Sequence, residues 1–473
     1  MNKLILTITF LFLATRLIVG QWPTFSAHVL STSLAKAAAT DIADFNNDGF
    51  NDIVAGTSDQ SGEISLWLNN AEQSFTKTVI ESGYPGARHL MAVDLDKDSN
   101  IDIVSVAYYS NQIVWLKNDG AGNFEKIILA ENFSNPHTVD VKDINNDGNL
   151  DIMCSGAGSD GSAKEVAWWE NDGEQNFEKH LLTGRFTKSC FIEGTDINSD
   201  GSLDILISDE DSGEIVWFKN DGNENFTEEV VDLNYTRAHT VFARDIDLDG
   251  DMDVLGTATS VSNLSWWEND GAQNFTRHNI DRLLGAIWVD MMDVDDDGDM
   301  DLYCAAMGDQ SISLWENDGS EHFTKHLLTG SCQGGFGVIS EDIDSDGDMD
   351  FVAVGYTSNK LVWFENNSIT EVEKNGPVPS EFGLHQNYPN PFNPTTTINF
   401  TIPFVEAPYK ASLQTELIIY DILGREVQTL LNMPIQPDNY EVTFNAADLP
   451  SGVYYYRLTS GEFSQTMKML LLK

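Results

Sequence analysis

The sequence predicts an all-β protein, a seven-bladed β-propeller followed by a small C-terminal β-sandwich. Three observations predict it. An acidic nine-residue motif recurs seven times at spacings of 48 to 53 residues, the mark of a repeat architecture. Each repeat offers four short apolar segments without helical periodicity, the pattern of a propeller blade. After residue 367 the motif stops, and a polar, proline-containing stretch leads into a segment of different composition.

The 473 residues, 41% hydrophobic and 10% aromatic, suffice for a packed core and for more than one domain. At a formal charge of −49 the chain should repel nucleic acid and anionic lipid, so neither is an expected partner. Eleven tryptophans and a regular apolar pattern weigh against disorder as the reason for so much acid. Residues 1–20, MNKLILTITFLFLATRLIVG, read as a signal peptide: Lys3 opens it, an apolar run follows, and Ile18 and Gly20 stand at −3 and −1 before Gln21. Arg16 is atypical there, which leaves the cleavage point open. No later segment is long and apolar enough to span a bilayer, so the mature protein is expected to be exported without a transmembrane segment.

Residues 21–367 form the propeller. In a typical repeat an apolar segment enters the acidic loop (AHTVFARDID), a second leaves it (MDVLGTAT), a third carries tryptophan (LSWWENDG) and a fourth closes the unit (NFTRHNI). Asn-Asp-Gly and similar turns separate the last two, as in a hairpin. The seventh repeat ends after LVWFENNS, while FSAHVL near the N-terminus resembles the strand it lacks. The N-terminal segment should therefore complete the last blade and close the ring, removing two open edges. An open solenoid is the alternative.

The loops follow D-x-[DN]-x-D-[GS]-x-x-D, with side-chain oxygens at positions 1, 3, 5 and 9. The candidate ligands are Asp44, Asn46, Asp48 and Asp52; Asp94, Asp96, Asp98 and Asp102; Asp143, Asn145, Asp147 and Asp151; Asp196, Asn198, Asp200 and Asp204; Asp245, Asp247, Asp249 and Asp253; Asp293, Asp295, Asp297 and Asp301; and Asp342, Asp344, Asp346 and Asp350. Carboxylates this close repel one another unless a cation lies among them. The spacing matches the first nine positions of an EF-hand loop, in which oxygens wrap a calcium ion and a glycine makes the turn. The twelfth-position glutamate is missing and no helices flank the loops, so a shorter site between two strands is expected. Oxygen donors without histidine or cysteine favour Ca²⁺, up to seven ions at one per blade, and magnesium prefers a tighter octahedron. The second loop is the weakest match because Ser99 replaces the glycine.

These repeats resemble the FG-GAP/VCBS family, the calcium-loop blades also found in integrin α-subunit propellers, over roughly residues 25–367. The resemblance implies the propeller fold and calcium, while the family's functions range over adhesion, carbohydrate binding and enzyme scaffolds. Residues 368–381 read as a linker. Residues 382–473 show alternating apolar residues and turn signals, a small β-sandwich. YPNPFNP, YDILGREV and LPSGVYYYRL within them closely resemble a type A C-terminal sorting domain of the type IX secretion system. That likeness implies engagement by the secretion machinery and release from, or attachment to, the cell surface.

No catalytic signature appears, but basic residues gather before the inner strands: Arg88, His89, His137, Arg237 and His239. Arg88, His137 and His239 each stand six residues before their loop, where Cys190, Ile287 and Phe336 stand in other blades. With Tyr84 and Tyr235 nearby in sequence, the set could bind an acidic sugar or abstract a proton. Asp41, Asp140, Glu193 and Asp290, three residues before their loops, either line the channel or support the loops. Trp67, Trp115, Trp168, Trp217, Trp267, Trp315 and Trp363 recur once per repeat, as packing residues would, whereas Trp288 stands outside the pattern. Disulfides Cys154–Cys190 and Cys304–Cys332 would tie neighbouring blades, with other pairings and free thiols left open. The expected function is a calcium-stabilised binding or adhesion module, secreted or at the cell surface, for polysaccharide or a surface protein. A polysaccharide-lyase-like enzyme using the His/Arg cluster is the alternative.

Overall fold

The computed structural model describes residues 22–70, 73–158, 164–260, 263–295, 297–328, 332–367, 382–403, 413–420, 422–435, 438–446, 449–461 and 463–473. The expected signal peptide (1–20) and linker (368–381) lie outside them. The chain divides into two compact units. The larger is a ring of seven four-stranded antiparallel sheets, spanning residues 37–84, 87–130, 136–183, 189–232, 238–281 and 286–328, and 335–366 joined by 25–31. Within each of the first six blades the strands lie in sequence order, and the first strands of successive blades adjoin one another at the axis.

The ring closes as expected. Phe25–Ser31 pairs antiparallel with Lys360–Asn366, matching Phe25 to Asn366 and His28 to Trp363, so the last blade takes its outer strand from the N-terminus. Seven apolar clusters, each drawn from two adjacent blades, make the core. The one joining the last blade to the first contains Trp363, Val352 and Ile343 against Trp67, Ile53 and Leu34. All seven periodic tryptophans are buried, at 2% exposure or less. Their large apolar area lies where two twisted sheets face each other, which explains the single recurrence per blade.

A first strand at the axis has no neighbour on its inner side, so its backbone N–H groups need other partners. Three of the four inner-strand acids supply some of them, one blade to the next. Asp41 accepts from Ala92 N at 2.7 Å, Asp140 from Gly194 N at 2.7 Å and Glu193 from Ala243 N at 2.8 Å. Arg244 then bridges Glu193 and Asp290. These acids thus act as latches between blades, a role the sequence did not show. Burial pushes the carboxyl of Asp41 up to about 6 and that of Glu193 up to about 7.

The four cysteines are free and buried. The expected disulfides do not form because the paired residues face different environments. Cys154 packs in the core between the second and third blades, whereas Cys190 points to Glu210, with Sγ 3.4 Å from Oε2. Cys304 lies between the fifth and sixth blades and Cys332 between the sixth and seventh.

The C-terminal unit contains a three-stranded sheet (Gly383–Leu384, Thr395–Ile402 and Asp438–Asn445) and a four-stranded one (Leu413–Tyr420, Glu426–Ile435, Gly452–Ser460 and Phe463–Leu471). Ile398, Phe400 and Phe444 from the first meet Leu417, Tyr456, Leu458 and Met469 from the second in one core. This is the expected sandwich.

Removing a latch should loosen the ring. Asp140→Ala strands the Gly194 N–H beside a buried site and is expected to cost about 1–3 kcal/mol, seen as a lower urea midpoint at an unchanged slope. An unchanged midpoint would mean that the inner-strand N–H is satisfied in another way.

Candidate functional site

Each acidic loop joins the first and second strands of its blade, so all seven open on the same face of the ring. Their shape is set by backbone hydrogen bonds to the loop's own carboxylates. In the first loop the position-1 carboxylate of Asp44 accepts from Asp48 N at 3.1 Å and Gly49 N at 2.8 Å, and Asp48 accepts from Phe50 N at 3.0 Å. The same bonds recur around Asp143 and Asp196. Two backbone positions turn left-handed to allow this. Position 6 is glycine in six loops, with φ from 88° to 103°, and Ser99 takes φ 70° in the second. Position 4 has φ between 57° and 61° at Asn47, Lys97, Asn146, Ser199, Leu248 and Ser345. The sequence reading missed this second turn.

Position 9 is the fixed point of the loop. Asp52, Asp102, Asp151, Asp204, Asp253, Asp301 and Asp350 have no exposed surface. One oxygen of each accepts from the position-2 N–H, at 2.9–3.4 Å. The other accepts from the N–H of the asparagine that ends the third strand, at 2.7–2.8 Å. Burial pushes these carboxyls up, to about 6 at Asp151, 7 at Asp301 and 8 at Asp350.

The donors fit calcium. Ligating oxygens of Asp94, Asp96 and Asp102 lie within 4.8 Å of one another, as do those of Asp245, Asp247 and Asp253, and of Asp293, Asp295 and Asp297. Both carboxylate oxygens of Asp295 are buried with no hydrogen-bond partner, as is one oxygen each of Asp245 and, in the second loop, Asp96. Orphaned buried carboxylate oxygens are costly, and a hard dication among them is the chemistry that removes the cost. The second loop departs from the others. The Lys117 ammonium pairs with Asp96 and lies 3.9 Å from Asp98, so this loop already holds a cation of its own. Glu170, Glu268, Glu316 and Glu365 occupy the Lys117 position in the third, fifth, sixth and seventh blades; Lys219 occupies it in the fourth and stays 3.8 Å from Asp200.

At the axis the ring brings together three of the five basic candidates. Arg88 Nη1 lies 3.4 Å from His137 Nε2, and the rings of His137 and His239 are 5.8 Å apart. Cys190 completes the group from the blade between them. His89 leaves it, stacking on Trp288 at 5.5 Å in an aromatic plug with Phe191 and Phe242. Arg237 reaches only the rim, where it pairs with Glu210 and Asp211. Tyr84 and Tyr235 are not members. Both are buried in cores between blades, and the Tyr235 hydroxyl donates to the carbonyls of Gly256 and Asn263. Tyr108, which the sequence did not single out, lies under the Arg88 guanidinium at 4.1 Å.

A sequence family described as the FG-GAP-like repeat matches residues 44–105, 94–154, 196–256, 245–304 and 293–353. A second, described as a secretion system C-terminal sorting domain, matches residues 386–472. No curated protein matches the chain. Among solved structures it is similar to BBS1N in complex with ARL6DN, at 10% identity over 72% of this chain and 96% of that one, with a TM-score of 0.50. It also matches PorZ, an essential bacterial surface component of the type-IX secretion system of Porphyromonas gingivalis, at 12% identity and a TM-score of 0.48. That match covers 94% of this chain, which spans 60% of the PorZ chain. A functionally unknown protein from Desulfotomaculum acetoxidans matches at 14% identity over 68% of this chain and 90% of that one, with a TM-score of 0.43. Of these three, the likeness to BBS1N, at a TM-score of 0.50, speaks for the fold alone.

The left-handed position 4 yields a test. Leu248 is 53% exposed at φ 60°, a conformation that asparagine tolerates far better. Leu248→Asn should stabilise the protein by about 1 kcal/mol, read as a higher urea midpoint. A lower midpoint would contradict the strain assigned to this turn.

Proposed function

This chain belongs to the FG-GAP-like repeat family, and on that premise we propose that it is a calcium-stabilised binding module acting outside the cell. Its loop face would engage polysaccharide or another surface protein. The sorting domain sets the location, since it marks the chain for export by type IX secretion to the cell surface or the extracellular space. Residues 1–20 as a signal peptide belong to the same reading.

The observation that carries calcium is the pair of buried, partnerless oxygens on Asp295. In that loop Asp293, Asp295, Asp297 and Asp301 would hold the ion, together with the position-7 carbonyl of Asp299. Bound calcium supplies the positive charge that the loops lack. The chain's own contribution is preorganisation: backbone N–H groups aim the carboxylates before any ion arrives, and position 9 ties the loop to the third strand. A set of stiffened loops on one face is a broad surface suited to an extended ligand. The expected stoichiometry is six ions, because Lys117 occupies the second loop.

The catalytic alternative needs a base open to a polymer; His137 is 8% exposed and His89 lies under Trp288, which leaves the half-buried His239 as the one base of the three with access. These positions support binding over catalysis.

Chelation should lower the thermal midpoint, and added calcium should restore it. Each site held at a hundredfold over its Kd contributes about 2.7 kcal/mol. Calorimetric titration is expected to count six ions, and Lys117→Met to add a seventh. No heat and no shift in midpoint would reject the calcium reading. Incubation with acidic and neutral polysaccharides should give calcium-dependent retention without a rise in ultraviolet absorbance from unsaturated products. Such a rise, abolished by His239→Ala, would replace the binding module with a lyase.

A further inference from the structure

We propose that the axial cluster is a second, chemically distinct metal site, in which His137, Cys190 and His239 hold one transition-metal ion, with zinc the occupant that the donor set favours. A ring nitrogen of each histidine and Cys190 Sγ lie within 4.8 Å of one another. The three residues come from the third, fourth and fifth blades at one register, six residues before each acidic loop. Packing of successive inner strands about the axis, not sequence proximity, assembles them. Two imidazoles and one thiolate suit zinc, cobalt or copper, whereas calcium takes oxygen. The site therefore does not rest on the calcium reading, and calcium should not compete for it.

The surroundings prepare the donors. His137 Nδ1 lies 2.9 Å from the carbonyl of Cys190, and His239 Nδ1 lies 3.0 Å from the carbonyl of Ile287. A neutral imidazole in that position donates its one hydrogen from Nδ1, which leaves the lone pair on Nε2. Metal-binding histidines use the same outer hydrogen bond to fix tautomer and ring orientation. Neutral imidazole is the form that ligates.

Cys190 is 1% exposed, and its Sγ sits 3.4 Å from Glu210 Oε2. Glu210 is itself buried and paired with Lys188 and Arg237, which fix the carboxylate beside the sulfur. Without metal the thiol S–H donates to that carboxylate. When the ion binds, the S–H bond breaks, the metal–sulfur bond forms, and one proton leaves to solvent. No oxidant or reductant takes part.

Arg88 is the built-in competitor. Its Nη1 is 3.4 Å from His137 Nε2, the lone pair that the metal needs, and its charge opposes a cation. The guanidinium stacks on Tyr108, and its Nε is buried without a hydrogen-bond partner. Metal binding therefore requires Arg88 to release His137, and removing its charge should tighten the site.

The test uses the whole protein under reducing conditions, with calcium in excess to saturate the acidic loops and Co²⁺ as the probe. One equivalent of cobalt should produce a thiolate-to-metal charge-transfer band in the near ultraviolet, displaced by zinc with release of the cobalt. Cys190→Ser should abolish the band while leaving the calcium-dependent thermal midpoint in place. Should that variant fail to fold, Arg88→Met carries the test from the opposite direction, with cobalt affinity raised at least tenfold and the band retained. No thiolate band at any cobalt concentration, or a band that survives Cys190→Ser, would overturn the assignment. Unchanged or weaker affinity in Arg88→Met would overturn the competition.

Discussion

At the end of every acidic loop one carboxylate is taken wholly out of water and shared between two backbone donors, the N–H at position 2 and the N–H that ends the third strand. Much of the loop's geometry depends on this arrangement. The carboxylate sets the loop's span, fixes where the second strand begins, and anchors the third strand beside it. The asparagine that donates to it also reaches outward. Asn118 Nδ2 donates to the carbonyl of Phe45 in the previous blade at 2.8 Å, and Asn69 to that of Ile343 at 3.2 Å. A buried aspartate is an expensive hinge for such a network, because each needs compensation by donors or by a cation. Recurrence at seven loops makes that compensation a property of the whole ring.

Loop and axis answer the same problem by different means. At the loops, negative charge is concentrated and oriented by N–H groups, which leaves oxygens such as those of Asp295 without partners. At the axis and its rim, charge is cancelled internally: Arg244 between Glu193 and Asp290, and Lys188 and Arg237 on Glu210. In the second loop a single lysine beside Asp96 brings to a loop the internal pairing found at the axis.

Much of this was legible in the sequence, because repetition converts weak local signals into a strong global one. Seven loops at one spacing fixed the blade count, and a missing last strand together with a spare first one predicted the closure seen at Phe25–Ser31. The register shared by Arg88, His137 and His239 predicted their convergence, since equal positions in successive blades meet at the axis. What remained hidden depends on side-chain direction. Nothing in the spacing of the cysteines showed that Cys154 turns into an apolar core while Cys190 turns to Glu210. Tyr84 and Tyr235 lie near the basic residues in sequence yet pack between blades. The left-handed turn at position 4 carries no residue signature, because asparagine, lysine, serine and leucine all occur there. Lys117 was hidden for a different reason, belonging to a third strand and not to the loop whose charge it meets.

If the loops are built around calcium, Lys117 stands in for the ion once, in the second loop. A crystal structure grown in calcium, with an anomalous difference map, tests this most directly. The account predicts peaks inside six loops, each ringed by oxygens from positions 1, 3, 5, 7 and 9, and the Lys117 ammonium in place of a peak in the second. Loops without anomalous density in saturating calcium, or a peak in the second loop as strong as the rest, would contradict it.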